Sequence, residues 1–351
     1  MKITVLTHPP AKNYGGILQA LALTGVLAEL GHECSVLYGP VKKKSFFKRV
    51  FERLREAAGC GREKAYRNLK RFVRENLPVT EPWYGKTVPE SECFIVGSDQ
   101  VWRPAYTPLP GAYFLDFLPP GSTAKKIAYA ASFGVDSWEF SPAQTEKYGE
   151  LLRKFDAVSV REKSGISLCR ENFGCEAVQM PDPTLLHDAE FWRNFAAGSK
   201  DVKTHPEKGT LFTYFLDPSP EKNSLADSFA ASAALQRDDF MPAGKKTVRR
   251  PVGEFISGID GAKFVLTDSF HGMVFSMILG KPFAVTGNLK RGMTRFSLTA
   301  EAGIPEVVLT GNDGVEKLLE LYSDISRYEK IKAFLKRERE RGRQFLTGYL
   351  S

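Results

Sequence analysis

The chain has 351 residues, of which 42% are hydrophobic and 12% aromatic, and its formal net charge at pH 7 is +8. The aromatic content excludes a chain that is disordered over most of its length, and the length favours two domains over one. No stretch of about 18 apolar residues is present, so no membrane-spanning helix is predicted. The N-terminal residues lack the apolar core of a secretion signal, and the 5 cysteines lack CxxC spacing. These features argue against a disulfide framework or a structural zinc site, and they predict a cytoplasmic protein.

The excess positive charge lies in one segment. Residues 42–74 contain 13 Lys or Arg and 3 Glu, a net charge of +10, so the rest of the chain carries −2. Apolar residues recur there at helical spacing, which predicts a basic helical insertion over residues 42–76. One interpretation is a helix that contacts anionic lipid headgroups at the inner face of the membrane, and the other is a solvated helix packed on its domain. No nucleic-acid-binding motif accompanies the charge, so we do not expect a nucleic acid partner.

The first part of the chain predicts an α/β domain over residues 1–190. Two strands, at 2–7 and 33–38, flank an apolar helix at 15–30, a βαβ unit that implies a parallel sheet. Further strands are predicted at 93–97, 127–129, 157–160 and 177–180, with a helix at 164–173. The alternation of strands and helices is typical of a Rossmann-like domain.

A second series of elements predicts another α/β domain over residues 209–330. Strands are predicted at 210–216, 263–267 and 282–286, and helices at 222–235, 252–258, 271–279 and 295–302. The polar segment 196–208 is a candidate linker, and residues 331–351 predict a C-terminal helix that packs back on the first domain. The predicted fold class is therefore α/β, with two Rossmann-like domains facing a cleft.

A glycine-containing loop precedes the first long helix. Asn13, Gly15 and Gly16 lie at its start, where glycines allow a ligand to approach the backbone and the helix N-terminus favours polar or anionic groups. The loop is not GxGxxG, and no acidic residue ends the second strand, so a dinucleotide cofactor is disfavoured. A tight strand-to-helix turn would also explain these residues.

Polar residues follow several strands of the first domain. Ser98 and Asp99 follow the third strand, Arg161 follows the fifth, and Asp182 follows the sixth. The carboxyl ends of parallel strands border the ligand crevice, and an arginine there suits a carboxylate or phosphate. Helix capping by Ser98 and Asp99, and a surface salt bridge from Arg161 to Glu162, are the alternatives.

The second domain carries the most distinctive local sequence. A buried strand is followed by Asp268, Ser269 and His271 at the start of an apolar helix, and Lys290 and Arg295 follow the next strand. Because these two strands are predicted to be neighbours, the histidine and the cations should serve one site for a small, highly anionic substrate. No cluster of metal-ligand residues occurs in the sequence, so we expect no metal there. No GxSxG nucleophile elbow is present.

Taken in order, these segments resemble the polysaccharide pyruvyl transferase family over nearly the whole chain. The matching segments are NYGGILQALAL (13–23), FIVGSDQVW (94–102), YFLDF (113–117), KKIAYAASFG (125–134), VSVRE (158–162), PDPTLL (181–186), TDSFHGMVFS (267–276) and KPF (281–283). The resemblance implies a fold similar to GT-B glycosyltransferases. It also implies transfer of a pyruvyl group from phosphoenolpyruvate to two hydroxyls of a sugar, in a polysaccharide or lipid-linked glycan precursor, with release of phosphate and no other cofactor.

The resemblance also implies roles for individual residues. His271 matches the catalytic histidine, while Arg161 and Lys290 match donor-binding cations, with Arg295 and Ser269 as helpers. The expected acceptor-binding residues are Asn13, Gly15, Gly16, Ser98, Asp99 and Asp182. A protonated His271 could act as general acid, and either Asp99 or Asp182 could be the base for the sugar hydroxyl.

Two other functions stay open at this point. A GT-B glycosyltransferase that uses a sugar nucleotide would share the fold, with Glu301 and Glu306 as the nearby candidates for binding a ribose. A non-catalytic glycan- or lipid-binding protein would keep the site without turnover.

Overall fold

The computed structural model describes residues 1–40, 62–85, 87–107, 109–199, 209–241, 247–287 and 293–351. The chain divides into two compact units. The first unit comprises Met1–Leu186 together with Glu338–Ser351, and the second comprises His187–Arg337. Each unit is built on its own parallel sheet.

The sheet of the first unit has six parallel strands in the order β2-β1-β3-β4-β5-β6. Its strands are β1 (Lys2–Leu6), β2 (Glu33–Val36), β3 (Cys93–Val96), β4 (Lys125–Ala131), β5 (Ala157–Val160) and β6 (Val178–Gln179). Because β2 lies on one side of β1 and the later strands lie on the other, the strand order reverses between β1 and β3. In open α/β sheets such a switch point opens a crevice at the carboxyl ends of the two strands.

The helices of the first unit connect these strands. They are α1 (Tyr14–Glu29), α2 (Arg62–Ala65), α3 (Arg67–Asn76), α4 (Pro142–Leu152) and α5 (Ser164–Leu168), the last continued by a π-helical turn at Cys169–Phe173. Short 3-10 turns occupy Pro104–Tyr106, Pro110–Phe114 and Pro183–Leu186. The central helix α1 is buried on most of its surface, as expected for a helix packed against a parallel sheet.

The second unit has a four-stranded parallel sheet in the order β10-β9-β7-β8. Its strands are β7 (Thr210–Tyr214), β8 (Gln236–Asp239), β9 (Phe264–Thr267) and β10 (Phe283–Val285). The helices are α6 (Ala189–Gly198), α7 (Pro220–Ser232), α8 (Val252–Gly261), α9 (Phe270–Leu279), α10 (Ser297–Glu301), α11 (Val315–Ser323) and the first part of α12 (Arg327–Leu350), which belongs to the first unit from Glu338 on. Short 3-10 turns occupy Thr294–Phe296 and Pro305–Val307. The strand order reverses between β7 and β9, which gives this unit its own switch point.

Three elements differ from the sequence-based expectations. The linker predicted over residues 196–208 is wrong at its start, because residues 196–198 are the last turn of α6. Asp188 caps this helix, and the Trp192 side chain on it is buried. Residues 200–208 lie outside the described part of the chain. Helix α4 was not predicted, although Ser141 and Gln144 form a capping box at its start. Strand β8 was not predicted because its sequence, QRDD, is polar, which is typical of a strand at the edge of a sheet.

The C-terminal part of α12 completes the core of the first unit. Leu346 and Leu350 are buried among apolar residues of β1, β3 and α1. Gly342 allows this contact, because a Cβ at that position would lie 2.6 Å from the Tyr129 hydroxyl and 2.5 Å from the Leu186 side chain. Among the described residues, no helix combines the length and the apolar character needed to cross a bilayer.

Candidate functional site

A buried glutamine links the two loops at the switch point of the first unit. The Gln19 side-chain amide donates to the Thr7 hydroxyl (2.8 Å) and to the Gly16 carbonyl (3.1 Å). Its carbonyl oxygen accepts from the Ser98 backbone N–H (3.3 Å), and the Thr7 hydroxyl donates to the Ser98 carbonyl (3.0 Å). Sequence reasoning missed Gln19, although a polar residue inside an apolar helix, one turn after Gly16, was a usable signal.

Helix α1 begins beside Asp99. The Asn13 side chain accepts a hydrogen bond from the Gly15 N–H (3.1 Å) and so caps the helix. A Cβ on Gly16 would lie 3.7 Å from Asp99 Oδ2 and 3.8 Å from the Asn13 Cβ. The structure therefore brings together the predicted acceptor-binding residues Asn13, Gly15, Gly16 and Asp99.

Arg161 lies buried among carboxylates. Its Nε donates to Glu162 Oε1 (2.9 Å), and its Nη1 donates to Asp182 Oδ2 (3.2 Å) and lies 3.8 Å from Asp99 Oδ1. Nη2 donates to the Ser132 hydroxyl (3.2 Å). Burial alone would lower the pKa of the guanidinium, but the three carboxylates outweigh it and raise the pKa above its ordinary value. The predicted ion pair with Glu162 exists, but it is buried and not at the surface.

Asp182 is fully enclosed by hydrogen-bond donors. Its Oδ1 accepts from the Thr184 backbone N–H (3.1 Å) and hydroxyl (2.8 Å), while its Oδ2 accepts from the Ser98 hydroxyl (3.3 Å) and from Arg161. The side chain has no exposed surface. Ser98, Asp182 and Arg161 therefore form one network, which holds the loop after β3 against the loop after β6.

In the second unit, Asp268 joins the two loops at the switch point. Its carboxylate accepts from the backbone N–H groups of Leu216 (2.6 Å) and Asp217 (3.1 Å), both just after β7. It also accepts from Lys222 Nζ (2.6 Å) at the start of α7. Asp268 is fully buried, so these charge-assisted bonds hold the loops in place. Lys222 was not singled out from the sequence.

His271 occupies the first turn of α9, three residues after Asp268. Ser269 caps the helix by accepting from the Gly272 N–H (3.4 Å). Arg295 Nη2 donates to the Asp268 carbonyl (3.0 Å), and His271, Ser269 and Arg295 are all buried. The expectation that the strands before these residues are neighbours is confirmed, because β10 pairs with β9. The arrangement combines an imidazole, a guanidinium and a helix N-terminus, which suits an anionic ligand.

The predicted site residues thus form two groups, one in each unit. The first contains Arg161, Ser98, Asp99 and Asp182, with the start of α1; the second contains Ser269, His271 and Arg295. Lys290 lies outside the described residues, as does the basic segment up to residue 61. Within the described ranges, no three His, Cys, Asp or Glu side chains are arranged to hold a metal ion.

Solved structures with a similar fold share little sequence with this chain. LpCGTa, solved in complex with UDP, has a TM-score of 0.51 at 12% identity, covering 100% of this chain and 99% of that one. The UDP-GlcNAc 2-epimerase from Methanocaldococcus jannaschii has a TM-score of 0.52 at 12% identity, covering 93% and 92%. At such identities the likeness concerns the fold alone. A comparison with curated protein sequences finds no match.

Two α/β units, each with a parallel sheet, define a mixed α/β protein similar in fold to glycosyltransferases and epimerases of the GT-B type, which confirms the predicted α/β fold class. Within that class the sequence is more specific. The family model of polysaccharide pyruvyl transferase matches residues 13–290, and the chain belongs to that family. The match includes the first group of site residues and, from the second group, Ser269 and His271, whereas Arg295 lies beyond its end.

Proposed function

We propose that the protein transfers a pyruvyl group from phosphoenolpyruvate to two hydroxyls of a sugar, forming a ketal and releasing phosphate. The observation that carries this proposal is the family match over residues 13–290, which includes His271 in the first turn of α9. The setting of His271 supports it, since the helix N-terminus and Arg295 both favour an anion with a carboxylate and a phosphate.

The reaction needs proton transfer and the stabilisation of negative charge, and it contains no redox step. Two hydroxyl protons leave the sugar; one is balanced by protonation of the donor's methylene carbon and the other departs with phosphate. His271 is the proposed general acid, and Lys290, Arg295, Ser269 and Arg161 are the proposed donor-binding residues. Arg161 has this role on the family resemblance, because its described contacts are to carboxylates and a hydroxyl. The reaction as written consumes the donor and the sugar and needs no further cofactor.

The acceptor is proposed to be a glycan or a lipid-linked glycan precursor bound at the first unit. A cytoplasmic protein touching the inner face of the membrane would fit a lipid-linked acceptor. The basic segment 42–74 supports this contact, since clustered cations near an anionic surface contribute about 1 kcal/mol each. Binding to vesicles containing phosphatidylglycerol, lost on reversing Lys42, Lys43 and Lys44 to Glu, would support it; equal binding by the variant would refute it.

A donor competition tests the proposed function. Phosphoenolpyruvate should raise the melting temperature of the protein, and a UDP-sugar should not. With methyl glycosides of common hexoses and N-acetylhexosamines as acceptors, turnover should release phosphate and produce a new ketal methyl signal in the proton NMR spectrum. Stabilisation by the UDP-sugar alone would instead favour a nucleotide-sugar glycosyltransferase.

His271 provides the matched test of mechanism. We expect His271→Gln to lower kcat by about 100-fold or more, since a general acid contributes roughly 10²–10⁴ to the rate. Phosphoenolpyruvate should still stabilise the variant. Unchanged phosphate release from His271→Gln would remove this residue from the proposed chemistry.

A further inference from the structure

Asp99 stands at the point of the first sheet where a ligand is expected. It follows β3, and the loop after β1 leads into α1 on the other side of the switch point between these strands. Crevices at such points receive ligands in open α/β sheets. The side chain reaches the start of α1, since a Cβ on Gly16 would lie 3.7 Å from its Oδ2.

Among the described residues, hydrogen bonds and ion pairs engage one carboxylate oxygen of Asp99. Oδ1 accepts from the Gln100 N–H (2.9 Å) and faces Arg161 Nη1 at 3.8 Å. Within the described part of the chain, Oδ2 accepts no hydrogen bond. The side chain is 17% exposed, compared with 0% for Asp182 and 7% for Glu162. Of the three carboxylates around Arg161, Asp99 is therefore the one that presents a lone pair to a ligand.

The backbone of Asp99 supports the same interpretation. Its φ is +74°, in the left-handed region that a side chain adopts at some energetic cost. Non-glycine residues held in such conformations cluster at active sites and ligand clamps.

We propose that Asp99 is the general base that takes the proton from the attacking acceptor hydroxyl, an inference that rests on the proposed function. As the hydroxyl oxygen bonds to C2 of phosphoenolpyruvate, its proton passes to Asp99 Oδ2. The C2=C3 electron pair takes a proton from the general acid and makes the methyl group. The second hydroxyl then bonds to C2 while the C2–O bond to phosphate breaks, and its proton leaves with phosphate. Asp99 returns its proton to solvent, from which the general acid takes up a new proton.

Asp182 does not take this role. Both of its oxygens accept hydrogen bonds from Thr184, Ser98 and Arg161, and it has no exposed surface. A base must reach the proton that it abstracts, and Asp182 has no path to a bound hydroxyl. It is instead a positioning residue for the loop that carries Asp99.

The test compares Asp99→Asn, Asp99→Gly and the control Asp156→Asn, an exposed carboxylate at the amino end of β5. We expect Asp99→Asn to lower kcat by about 100-fold or more, with the melting-temperature shift by phosphoenolpyruvate unchanged. Glycine tolerates the left-handed backbone, so Asp99→Gly should fold and should recover activity when formate supplies a carboxylate. Asp156→Asn should behave as the wild type.

The outcomes distinguish this inference from the function on which it rests. Wild-type protein that forms no ketal and releases no phosphate overturns the proposed function. Wild-type protein that is active, with Asp99→Asn within fivefold of its kcat, overturns the role of Asp99 alone. Failure of formate to restore activity to Asp99→Gly does the same.

Discussion

At the scale of single residues, the first unit depends on one buried cation. Arg161 separates three carboxylates, and its side chain is 4% exposed, so water screens these charges little. Buried ion pairs cost desolvation energy to form, but removal of one partner leaves the others uncompensated. Arg161 therefore matters for stability in addition to any contact with a ligand.

Arg161→Met should lower the free energy of unfolding of the protein by about 3–5 kcal/mol, because three carboxylates lose their common counter-charge. Urea denaturation followed by circular dichroism measures this change. The control is Lys147→Met, which removes an exposed pair with Asp116 and should cost less than about 1 kcal/mol. Equal stability of the two variants would contradict the network described above.

At the scale of elements, α12 carries two glycines in contrasting surroundings. A Cβ on Gly342 would meet Tyr129, Leu186 and Pro181 within 2.9 Å, whereas a Cβ on Gly348 would meet nothing within 4 Å. The close approach of the helix to the loop after β6 is thus set by one missing side chain. The second glycine adds only conformational freedom to the unfolded chain.

The two glycines give a paired prediction. Gly342→Ala should destabilise the protein by about 1–3 kcal/mol through overpacking. Gly348→Ala should stabilise it by roughly 0.5–1 kcal/mol, since alanine favours a helix interior. Melting temperatures of the two variants should move in opposite directions, and a shift of both in the same direction would show that α12 does not pack as described.

At the scale of the whole molecule, the first unit is assembled from both ends of the chain. Residues 338–351 belong to it, although the intervening residues 187–337 form the second unit. Arg343 donates to the Leu186 carbonyl (3.0 Å) and pairs with Glu29 (2.8 Å), while Lys125 Nζ donates to the Tyr349 carbonyl (2.9 Å). The first unit is therefore complete only with residues 338–351.

Truncation after Arg337 should destabilise the first unit. Leu346 and Leu350 are 0% and 3% exposed, and the loss of each fully buried leucine removes about 1.5–3 kcal/mol of apolar burial. Limited proteolysis should then cleave sites within residues 1–186 of the truncated protein faster than in the full chain. The substitution Tyr349→Ala, at an exposed position, is the control and should leave the cleavage rate unchanged. Equal protection of the truncated chain would refute the contribution of residues 338–351.

Local sequence determined much of the fold. Strands β1, β3, β5 and β9 were predicted within one or two residues, because short apolar runs end at glycines and polar residues. The placement of His271 at a helix start beside β9 followed from the same reasoning. The same reasoning did not predict the polar strand β8, since pairing at the edge of a sheet needs no apolar side chains.

The sequence by itself determined the α/β class, the family and the residues that end the strands. Only the tertiary structure decided which of those residues meet. Arg161 and Asp99 are 62 positions apart, and Gln19 and Ser98 are 79 apart. Their contacts arise from the strand order β2-β1-β3-β4-β5-β6 and its register, which apolar periodicity does not encode. The same strand order brings Asp99 and Asp182 to Arg161, and it leaves the side chain of Asp99 17% exposed and that of Asp182 fully buried.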